Sequence, residues 1–67
     1  MNMTTDFLKT ASIASAETLN EMRNHNETQL HLLKAFQSVG VPVDATDEFE
    51  KLLAVVEDRH QILKAIN

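Results

Sequence analysis

Along the 67 residues, apolar side chains recur at three- and four-residue intervals in two stretches separated by one break. Projected at 100° per residue, Phe49, Leu52, Leu53, Val56, His60 and Leu63 fall on one side of a C-terminal helix. Val55, Ile62 and Ile66 form an adjoining stripe. In the N-terminal stretch, Leu8, Leu19, Met22, Asn26, Leu30, Leu33 and Phe36 share a side, edged by a second stripe of Phe7, Ala14, Leu32 and Val39. Both apolar arcs are wider than the ~100° that one packing partner requires.

The break is Val39-Gly40-Val41-Pro42-Val43-Asp44. Gly40 can adopt the positive-φ conformation that closes a helix, and Pro42 cannot continue one. Downstream, Asp44, Thr46 and Asp47 are suitable N-caps, and Asp47 with Glu50 makes a capping-box variant, so a helix is predicted over about 47–66. Upstream, residues 5–38 hold neither Gly nor Pro and are rich in Ala, Leu, Glu, Gln and Met. That composition favours one long helix over about 5–38, capped by Thr5 or Asp6 and weakest near Ser12 and Ser15. Thr18-Leu19-Asn20-Glu21 also reads as a capping box, so a short helix followed by a longer one is the competing arrangement. Residues 1–4 are expected to fray.

Folding the chain about Val43 within a turn at 39–46 gives an all-α antiparallel helical hairpin, a single domain over residues 1–67. Its expected core is Leu19, Met22, Leu30, Leu33 and Phe36 against Phe49, Leu52, Leu53, Val56 and Leu63. Asn26 comes opposite His60, which predicts a buried polar layer, since buried polar groups are nearly always paired. The leftover stripes, Phe7, Leu8, Ala14, Leu32 and Val39 with Val55, Ile62 and Ile66, are expected to form an interface. A second copy docking there would make a four-helix bundle, and a different protein could fill the same role. A chain this short, without cysteines, gains most from such a partner.

Charge narrows the partner. Ten Asp and Glu against six Lys and Arg give a net charge of −4, and the cations are scattered among carboxylates. Nucleic acid, which demands a basic face, is therefore not expected. No run of apolar residues approaches the length of a membrane span, and the start MNMTTDFLKT lacks the basic and apolar segments of a secretory signal, so a cytoplasmic location is expected.

Candidate chemistry is sparse. Glu57-x-x-His60 has the i, i+3 spacing of di-iron four-helix carboxylate proteins, with Glu27 at the same height on the first helix. On those three residues and the hairpin layout the chain resembles the two-helix encapsulated ferritins. The resemblance implies a metal-binding bundle assembled from two hairpins through Glu57 and His60. By projection, however, Glu27 lies about 120° and Glu57 about 100° from the centre of their apolar faces, and ligands must converge inside a bundle. No metal and no cofactor are therefore expected. Ser12, Ser15 and Ser38 have no His at neighbouring helical spacing, so no enzyme is expected either. What remains is a small acidic protein–protein interaction module: a regulator, adaptor, inhibitor or small chaperone of bacterial or phage type. It would act by laying exposed helix stripes into a partner's groove.

Overall fold

The computed structural model describes residues 3–66, with side chains over residues 5–66. The chain is all-α, and no strand occurs among the described residues. Its helices are α1 (Met3–Ile13), α2 (Ala16–Val39) and α3 (Thr46–Ala65), with a short 3-10 turn over Val43–Ala45. Of the stretch expected to fray, Met3 and Thr4 open α1, while residues 1 and 2 lie outside the described residues.

The long first helix expected over 5–38 is two helices, and Ser15 is the reason. Its backbone leaves the helical region (φ −68°, ψ 163°), and its hydroxyl accepts the Thr18 N–H at 3.2 Å, the arrangement of an N-cap. The same hydroxyl donates to Thr18 Oγ1 at 3.0 Å. The break thus falls three residues before the Thr18 start that the capping-box pattern suggests. Just upstream, the Ser12 hydroxyl donates to the Leu8 carbonyl at 2.7 Å, a back-bond that competes with the helical ladder.

At the second break Gly40 has φ 122°, where a side chain would be strained, and its N–H closes α2 on the Phe36 carbonyl at 3.1 Å. Pro42 then turns the chain: its carbonyl accepts the Ala45 N–H at 3.0 Å and the Thr46 hydroxyl at 3.1 Å. Because Thr46 is held there, Ala45 occupies the cap position without a side-chain bond, and the expected Asp47–Glu50 box is not used.

Helices α2 and α3 run antiparallel, as the Phe36–Phe49 ring pair (centroids 5.8 Å apart) and the Asn26–Val56 contact fix. Leu30 and Val56 are buried in the middle of the chain's fold. The segment before Ser15 folds back on the α2–α3 pair. It returns along α3, parallel to it, so that Ala11, Leu19 and Leu63 form one buried cluster with Phe7, Ala14, Met22 and Ile66 packed around it. A small residue at Ala11, fully buried, lets the two helices approach closely. Even so the chain is spread out: its radius of gyration is 13.3 Å, against about 11 Å for a compact chain of this length.

Candidate functional site

Helix α1 leans on α3 and diverges from α2, and the space between them is a cleft of about 480 Å³. Asp6, Phe7 and Thr10 line it from α1, Met22, His25, Asn26 and Gln29 from α2, and Arg59 from α3. The Arg59 guanidinium stands over the Phe7 ring, 5.0 Å from its centroid, which ties α1 to α3 through a cation–π contact. Asn26 is buried, and its amide donates to the Val56 carbonyl at 3.4 Å. Its partner is therefore backbone, not His60. His60 is half-buried and borders a smaller recess with Arg23, Glu27, Leu63 and Lys64.

Beside that recess Arg23 does structural work. Its Nε and Nη2 donate to the Leu63 carbonyl at 3.2 and 3.1 Å, and Nη2 also donates to the Ile66 carbonyl. Leu63 belongs to the last turn of α3 and Ile66 is its C-cap, at the end where helical carbonyls lack intrahelical donors and the dipole is negative. One half-buried guanidinium thus satisfies the end of a helix 40 residues away in sequence.

The expected interface residues separate into three groups. Phe7, Ala14 and Ile66 pack against the Ala11–Leu19–Leu63 cluster of the same chain, because α1 folds back and takes up the stripe meant for a partner. Val55 and Ile62 are half-buried, while Leu8, Leu32 and Val39 are exposed, Val39 by 89%. Among expected core residues, Leu19, Leu30, Val56 and Leu63 are buried, and Met22, Leu33, Phe49 and Leu53 are half-buried. Phe36 and Leu52 depart from the expectation: they are 52% and 45% exposed. Neither is fully covered, since α1 reaches only the other half of the α2–α3 pair, while Phe36 pairs with the Phe49 ring.

Glu57, the first residue of the metal-like spacing, is exposed, and His60 and Glu27 share their recess with two cations, Arg23 and Lys64. A divalent ion would be repelled there. Among the described residues no three His, Cys, Asp or Glu side chains converge. Among the described residues no helix is long and apolar enough to cross a membrane. Comparison with protein-family models, curated proteins and solved structures finds no match to the chain.

Residues that sequence reasoning missed are Arg23, Arg59, Asp6, Thr10, His25, Gln29 and Ala11. A signal for Arg23 existed: folding about Val43 sets Met22 against Leu63 and Lys64, which places a cation beside the terminal carbonyls of the facing helix. The cleft residues had none, because their convergence depends on the direction α1 takes after Ser15.

Proposed function

We propose that this chain is a small acidic protein–protein interaction module whose first partner is a second copy of itself. The surface used is the half of the α2–α3 pair that α1 leaves bare. Leu32, Phe36 and Val39 share one face of α2 at i, i+4 and i+7, with Leu52 exposed on α3. Two such hairpins, related by a twofold axis, form a four-helix bundle with each α1 as an outer brace.

One observation carries this reading. The chain exposes 5085 Å², whereas a compact monomer of its mass exposes about 4,200 Å². The excess, on the order of 800 Å², is what one side of a standard protein–protein interface buries. The chain also carries a row of large exposed apolar side chains, Leu32, Phe36 and Val39, whereas lone apolar residues scattered over a surface would not need covering. We place the module in the cytoplasm, as a regulator, adaptor, inhibitor or small chaperone.

The test is sedimentation equilibrium of the full chain and of the double variant Leu32→Glu/Val39→Glu. The wild-type chain should weigh twice its sequence mass at about 100 µM, above a typical transient dissociation constant. The variant should sediment as one chain with its far-UV helicity retained. A monomeric wild type, or a variant that remains dimeric, overturns the proposal.

A further inference from the structure

We infer that the cleft between α1 and α2 binds a single carboxylate carried on an apolar body, with Arg59 as its anchor. The two half-buried arginines make the argument by contrast. Arg23 spends its donors on the Leu63 and Ile66 carbonyls. Arg59 has no hydrogen bond and no ion pair among the described residues, where the one ion pair is the exposed Lys51–Glu48 contact. The Phe7 ring beside the guanidinium offers no lone-pair acceptor, so the contact leaves the Arg59 N–H groups without a hydrogen-bond acceptor among the described residues. A planar carboxylate matches that fork, accepting two parallel hydrogen bonds.

The remaining lining defines the ligand further. Phe7 and Met22 supply apolar wall, and Asn26 and Gln29 supply neutral hydrogen-bonding groups. Thr10 already donates its hydroxyl to the Asp6 carbonyl at 3.0 Å, so toward a ligand it can only accept. A cleft of about 480 Å³ lies within the range of small-ligand sites. Asp6 is the one carboxylate on the lining, exposed in the first turn of α1. It penalises a second negative charge and so favours a monoanion over phosphate. The same chemistry is presented by a free aromatic or aliphatic acid and by the carboxylate end of a peptide chain. None of the cleft residues belongs to the Leu32–Phe36–Val39 stripe, so this site stands apart from self-association.

The test is a ¹⁵N-resolved NMR titration of the full chain with 4-phenylbutyrate, its neutral amide, inorganic phosphate, and the peptide acetyl-Gly-Ala-Phe with a free or an amidated end. Either carboxylate should shift His25, Gln29 and Arg59 resonances, and its amide counterpart should bind at least about fivefold more weakly, the weight of a charge-assisted pair. Arg59→Gln should abolish that difference. Asp6→Asn, which leaves the seat of α1 intact, should tighten carboxylate binding about twofold by removing a like charge. Preference for 4-phenylbutyrate identifies free acids as the source, and preference for the peptide identifies chain ends. Equal binding of acid and amide, phosphate binding as tight as carboxylate, shifts confined to other surfaces, or no response at about 10 mM overturns the assignment. So does an Asp6→Asn variant that binds carboxylate less well.

Discussion

The two ends of the α2–α3 pair are built from similar residues and end up differently. At the end near Ser15, Leu19 and Leu63 are sealed by Ala11 from α1, and Arg23 ties off the last turn of α3. At the end near Gly40, Phe36 and Phe49 touch, yet Phe36, Val39, Val43 and Leu52 face solvent. Two helices can shield only the seam between them; shielding a flank takes a third. Helix α1, 11 residues long, is enough for one end only. The α2–α3 seam is therefore sealed by a third helix at one end and left open at the other, although Leu8 and Ile13 on the outer face of α1 are also exposed; the open end is where association is proposed.

Substitutions that attack each half should differ accordingly. Leu63→Ala removes the side chain at the centre of the sealed cluster and should cost about 2–5 kcal/mol, the range for truncations that leave a cavity. In a domain this small that approaches the whole stability, so urea titration followed by circular dichroism should show a variant unfolded or nearly so. Arg23→Ala should come next, at roughly 1.5–3 kcal/mol for hydrogen bonds made by a charged group. Arg23→Lys should restore part of the loss, because an ammonium cannot reproduce the fork. At the open end Val39→Ser should change the stability of the isolated chain by no more than about 0.5 kcal/mol, as exposed positions do. If Val39→Ser matched Leu63→Ala in urea below the concentration of self-association, the division into two halves would be wrong.

The course of the chain was legible in unequal measure. The break at Gly40 and Pro42 and the extent of α3 follow from local chemistry, because a positive-φ position and a missing N–H act within a few residues. The apolar period placed Leu19, Leu30, Val56 and Leu63 on inward faces for the same reason. Ser15 was harder. A serine between alanines weakens a helix only slightly, and it ended this one by capping Thr18, a choice that the absence of Gly and Pro over 5–38 argues against. Everything built on the return of α1 was then out of reach, including the Phe7–Arg59 stack, the cleft, and the conversion of Phe7, Ala14 and Ile66 from expected interface to internal packing. Periodicity reports which face of a helix is apolar and is silent about which neighbour covers it. The exposure of Phe36 and Leu52 has the same origin, since their faces are as apolar as any and simply lack a cover.

The seat of Ala11 also sets an order of events. That residue contacts a surface made jointly by Leu19 and Leu63, which are 44 positions apart and become neighbours only after α2 and α3 have met. Until then α1 has no landing place, and 11 residues make too short a helix to persist alone in water. The packing predicts that α1 docks last and leaves first. Enlarging Ala11 to Leu should accordingly hasten unfolding in stopped-flow experiments while the refolding rate stays near that of the parent.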